Sequence, residues 1–96
     1  MDNQHLILVE QICTYHQAEP TFIGSLHEMG LIEVVVIDDR QYLRDEQLQA
    51  VEKMIRLHYE LHINPEGIDA IAHLLQRIDD LQQELIVAKN KLRLLE

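Results

Sequence analysis

Six histidines, three adjacent carboxylate pairs and one cysteine are the side chains of this chain that could do chemistry. His58 and His62 are four residues apart, a spacing that on one helix can hold Zn²⁺. The stretch "HYELH" places its Glu away from the first His, however, and no third ligand has an evident position. The competing reading is one half-buried and one surface imidazole. Asp38 and Asp39, Asp45 and Glu46, and Asp79 and Asp80 raise the question of acid–base catalysis. Adjacent side chains diverge on a helix, so turn chemistry and helix N-terminal charge account for them better. Cys13 lies in the apolar run "VEQICTY" and reads as a small buried hydrophobe. A lone cysteine forms no internal disulfide and no Cys-based metal site. No nucleophile–base pair, Gly-rich phosphate loop or cofactor box is present, so the expectation is a non-enzyme with no cofactor and no metal.

The elements that carry these residues follow from pattern. His5 to Val9, "HLILV", reads as a strand, and "VEQICTYHQ" as a short helix with Val9, Ile12 and Cys13 on one face. Pro20 opens a second helix, to about Met29, with Phe22, Ile23, Leu26 and Met29 inward. Gly30 ends it. The β-branched run Val34 to Ile37, the turn Asp38-Asp39 and "RQYL" form a hairpin. The N-terminal strand could pair with it. Arg44 to Leu61 reads as a helix with Leu48, Val51, Met54, Ile55, His58 and Leu61 at helical spacing. Asn64 then caps a new helix, with Pro65 at its first position and Glu66 at its positive end. A single domain is expected, a head over 1–63 and a capped helix over 64–96 that continues into a coiled coil.

That coil is carried by Ile71, Leu74, Ile78, Leu81, Leu85, Ala88, Leu92 and Leu95, in 3-4-3-4 steps. Wholly helical, the stretch from Pro65 to the C-terminus is roughly 46 Å long at a rise of ~1.5 Å per residue. A small head cannot cover such a seam, which points to a homodimer; the alternative is packing on the same chain's head, or a break at Asp79-Asp80. Glu84 and Lys91 at g with Lys89 and Glu96 at e suit a parallel pair. Arg77 opposite Glu84 of a second copy suits an antiparallel one.

Composition narrows the function. Apolar residues make up 47% and aromatics 4%, so the core is aliphatic. No stretch approaches the ~20 apolar residues of a membrane span, and no signal peptide is visible, so a cytoplasmic protein is expected. The formal net charge is −9, and residues 1–39 hold seven acids with no Lys or Arg. Such a chain repels phosphate backbones and favours a basic partner.

The order helix, turn, helix, wing, helix, capped helix, coil resembles the MerR-type winged helix-turn-helix regulators over nearly the whole chain, through "VEQIC", "LHEMGLIE", the hairpin, "NPEGI" and the heptads. The expected fold is therefore mainly α, with a small β-hairpin wing. The blocks "MIRLHYELHINPEGIDAI" and "IDDLQQE" are closer to the chaperone-modulator (CbpM-like) proteins. The turn between the first two helices departs from the pattern, with "HQAE" where Gly is usual. The resemblance implies binding to the J-domain of a DnaJ-like (CbpA-type) co-chaperone, whose basic helix is a cationic surface, and a block on Hsp70 stimulation. The exposed acids Glu28, Asp38, Asp39, Glu60, Glu66 and Asp69 are the candidate contacts. The alternative is a MerR-type transcription factor that uses Arg40, Arg44, Lys53 and Arg56 on phosphates. DNA binding is not expected, because the segment "TFIGSLHEMGLI" carries no cation. Leu6, Leu8, Phe22 and parts of "VVVI" could add an apolar patch. Imidazoles titrate near pH 6.5, so acidification from about pH 8 to about pH 5.5 erodes the negative charge and should weaken such binding at fixed salt.

Overall fold

The computed structural model describes residues 5–95. Strand β1 (Leu6–Leu8) runs directly into helix α1 (Val9–His16), followed by helix α2 (Pro20–Glu28). Strands β2 (Val35–Ile37) and β3 (Arg40–Arg44) form the hairpin, and helices α3 (Leu48–Tyr59) and α4 (Pro65–Leu95) complete the chain. The protein is mainly helical, with one small antiparallel sheet, a winged helix-turn-helix head and a long C-terminal helix.

The sheet order is β1-β3-β2, so the hairpin's second strand is central. Leu6 pairs with Arg44 and Leu8 with Tyr42, while Val35 faces Tyr42 and Ile37 faces Arg40. Asp38 and Asp39 are the two loop residues, with φ of 52° and 66°. Positive φ at both positions is what a type I′ turn requires, and it matches the twist of the flanking strands. Asp tolerates it better than most residues.

The missing turn glycine has a replacement. Gln17 takes the left-handed conformation after α1, at φ 55° and ψ 38°. The amide of Ala18 donates to Cys13 O at 2.9 Å, which closes the helix end as a glycine would. The angle between α1 and α2 is thus set by a residue under mild backbone strain.

Two boundaries differ from expectation. The third helix does not begin at Arg44. Arg44 ends β3, and a turn of 3₁₀ helix over Asp45–Gln47 precedes α3. Pairing decides this, since β1 and β3 are joined up to Leu6–Arg44 and the amide of Asp45 donates to His5 O at 2.8 Å. Gln47 also serves the loop: its side-chain amide accepts from Glu33 N (2.8 Å) and donates to Glu33 O (2.9 Å). At the other end α3 stops at Tyr59, and Leu61 is exposed rather than part of the inward face. His62 adopts φ 58°, so it leaves the helix and cannot share a helical face with His58. The zinc spacing is lost with it.

The joint between α3 and α4 is tightly specified. The amide of Gly67 donates to Asn64 Oδ1 at 2.8 Å, the expected cap. A Cβ at Gly67 would meet Ile63 Cγ2 at 2.7 Å, so only glycine fits the "NPEGI" start. His58 Nδ1 lies 2.8 Å from Ile63 O, and a carbonyl only accepts, so that nitrogen carries the hydrogen. The His58 ring stacks on Phe22, with centroids 4.3 Å apart.

The core is aliphatic apart from Phe22. Val9, Ile12, Cys13, Ala18, Phe22, Ile23, Leu26, Ile32, Leu43, Val51, Ile55 and Ile68 are buried, and no polar or charged residue joins them among the described residues. Phe22 is therefore core rather than surface patch, and Met29 is only half-buried. Burial first, and the charge of Glu10 second, push the Cys13 thiol above its ordinary value of 9.0. The native thiol is expected to resist alkylation near neutral pH and to react once urea unfolds the head. The folded state holds this proton more tightly, so Cys13 stabilises the fold below about pH 9 and loses that contribution as pH rises further. A flat stability curve through that range, matched by Cys13→Ala, would remove the effect.

Candidate functional site

In a helix-turn-helix protein the outward side of the second helix is the reading surface. On α2 that side carries Thr21, Gly24, His27 and Glu28, all exposed. Ser25 Oγ is already committed to Thr21 O at 3.1 Å. No cation stands on α2, and Glu19 precedes it. The wing tip presents Val36, Ile37, Asp38 and Asp39, with Arg40 its one basic residue. DNA recognition uses Arg and Lys to neutralise phosphates and read guanine edges. α2 and the wing tip supply one such group between them.

Of the other basic residues of the head, Arg44 ends the wing strand β3, and no ion pair or hydrogen bond among the described residues joins Lys53 or Arg56 to the wing. Arg44 Nη1 donates to Glu33 Oε1 at 2.9 Å, so its charge is largely answered within the chain. Lys53 and Arg56 project from α3. The six candidate acids occupy three places. Glu28 ends α2, Asp38 and Asp39 form the wing turn, and Glu60, Glu66 and Asp69 surround the α3–α4 joint. Five are exposed. Asp69 is half-buried, with Oδ1 3.2 Å from His73 Nδ1. No ion pair or hydrogen bond among the described residues joins any two of them.

The α4 seam is continuous. The helix runs unbroken through Asp79 and Asp80. Ile71 is half-buried on the head, whereas Leu74, Ile78, Leu81, Leu85, Ala88, Leu92 and Leu95 are exposed. The chain's own head therefore covers only the start of the seam. Leu75, Ile86, Val87 and Leu94 add exposed apolar surface outside it.

A family model described as MerR HTH family regulatory protein matches residues 7–90. The chain belongs to this family. The matched span begins within β1, includes the rest of the MerR-like head and runs most of the way along α4. Membership makes the head a regulatory module. Neither a curated protein nor a solved structure matches the chain at a significant level. Among the described residues no group of three or more His, Cys, Asp or Glu is arranged to hold a metal ion, and no helix is long and apolar enough to cross a membrane.

Within this MerR-type head, pattern reading missed Tyr15. It is 82% exposed, the most open aromatic among the described residues. One signal was available: Tyr15 falls off the Val9, Ile12 and Cys13 stripe of α1, in a chain with only four aromatic residues.

Proposed function

We propose that this MerR-family protein regulates another protein rather than a gene directly. In this reading it is a non-enzymatic inhibitor of a DnaJ-like co-chaperone of the CbpA type. It occupies the basic J-domain surface and so blocks stimulation of an Hsp70-type ATPase. The observation that carries the reading is the outward side of α2 and the wing, where the fold's customary cations are replaced by Glu28, Asp38 and Asp39. Such a surface disfavours phosphate and steers a cationic protein surface. The exposed α4 seam supports a homodimer as the working form.

The decisive experiment measures J-domain binding by calorimetry, together with J-domain stimulation of Hsp70 ATP hydrolysis. Submicromolar binding with loss of stimulation is expected. Reversing Glu28, Asp38 and Asp39 to Lys should slow association by about tenfold at low salt and leave dissociation nearly unchanged. An unaltered on-rate would clear these three acids of any part in steering.

Family membership itself favours a second reading, a MerR-type DNA-binding regulator that uses Arg40, Arg44, Lys53 and Arg56. A gel shift at low salt separates the two. Sequence-specific, salt-sensitive retardation of DNA would displace the co-chaperone reading.

A further inference from the structure

We infer that the outer side of α1, centred on Tyr15, is a docking surface for a basic amphipathic helix. This rests on the reading above that the partner is a cationic protein surface, and it centres the contact on residues of which only Asp39 is among the six acids proposed from sequence.

Three shallow depressions meet over α1. One, of about 300 Å³, lies between the wing turn, α1 and the start of α2, and includes Asp39, Arg40, Pro20, Cys13, Leu8 and Glu10. The next, of about 490 Å³, shares Leu8 and Glu10 and continues over Gln11, Thr14 and Tyr15. The third, of about 220 Å³, shares Gln11 and Tyr15 and ends at Ile7, His16, Leu48 and Glu52. The shared walls make them one belt, with Tyr15 standing between the last two.

Shape and charge define the occupant. Shallow hollows beside a helix take the side chains of a second helix at i, i+3 and i+4. An exposed Tyr offers a large, rigid contact area at low entropic cost, and Tyr is enriched where binding energy concentrates. The belt carries the carboxylates of Asp39, Glu10 and Glu52 against a single Arg40. Glu52 Oε2 is 3.1 Å from His16 Nε2 and keeps its second oxygen for a partner. A helix with Leu-type side chains on one face and Lys or Arg at its flanks satisfies both requirements. DNA satisfies neither.

Amide chemical-shift mapping of the ¹⁵N-labelled protein tests this with two probes: the J-domain of a DnaJ-like co-chaperone, and a designed amphipathic helix of Leu and Lys. Both should perturb Gln11, Thr14 and Tyr15. Tyr15→Ala should weaken both by about tenfold or more, Tyr15→Phe much less, and Glu10→Lys should weaken both at low salt. Circular dichroism should show all three variants folded, since both side chains are exposed. Shifts centred on Glu66 and Asp69, with Tyr15 silent, would overturn the surface and leave the co-chaperone reading standing. Peptide binding at Tyr15 without J-domain binding would sustain the surface and remove that reading. Binding of neither probe would overturn both.

Discussion

The homodimer proposed above is expected to give way to monomer at micromolar concentration when Leu81→Glu and Leu85→Glu are combined, as read by sedimentation equilibrium. In a lone chain these side chains are 52% and 54% exposed, in the middle of a seam that nothing on the same chain covers. About half of each side chain is left to bury, so a second helix gains roughly 0.8–1.5 kcal/mol at each, and the central pair from both copies supplies about 3–6 kcal/mol of the association. The double substitution removes that contribution and sets carboxylates from two copies beside one another in a dry interface, where an unpaired charge is far more costly than at the surface. Helicity should fall as well. An isolated helix depends on packing for most of its stability, so the distal part of α4 should fray once its partner is lost. The head should keep its fold, because Ile68 already anchors the start of α4 in the core. A double variant that still sediments as a dimer would place the interface elsewhere.

Leu26→Ala is expected to cost about 3–5 kcal/mol in urea unfolding, the upper part of the range for a buried Leu. Leu26 is fully buried in the last turn of α2, within the core. Small domains begin from only about 5–15 kcal/mol, so this single change should leave a large unfolded fraction at physiological temperature. Leu94→Ala provides the contrast. Leu94 is 86% exposed and off the seam, and its loss should stay within about 0.5 kcal/mol. Equal effects at the two positions would contradict the core as described. Both measurements need a fixed protein concentration, because the proposed association adds to apparent stability.

Sequence alone determines the parts of this protein that depend on neighbouring residues. β-branched Val35 to Ile37 make a strand, Asp38-Asp39 make its turn, and Asn64-Pro65 start the last helix. The 3-4 spacing along α4 makes an apolar stripe, and the lack of Lys and Arg before Arg40 makes the reading helix anionic. Each follows from backbone preference, periodicity or charge count within a short window. The tertiary structure decided what depends on contacts between distant residues. β3 became the central strand and held Arg44 out of α3, because β1 pairs with it across 38 positions at Leu6–Arg44. The Phe22–His58 stack and the bond from Glu19 N to the Tyr59 hydroxyl at 2.8 Å set the end of α3 against the start of α2. Those contacts account for the burial of Phe22, while His62 turned out of the helix altogether. Gln17 took the left-handed turn in place of glycine, closed by the bond from Ala18 N to Cys13 O. Tyr15 was left in solvent because its helix buries the Val9, Ile12 and Cys13 stripe, which the half-buried His16 continues, and at about 100° per residue Tyr15 falls off that side.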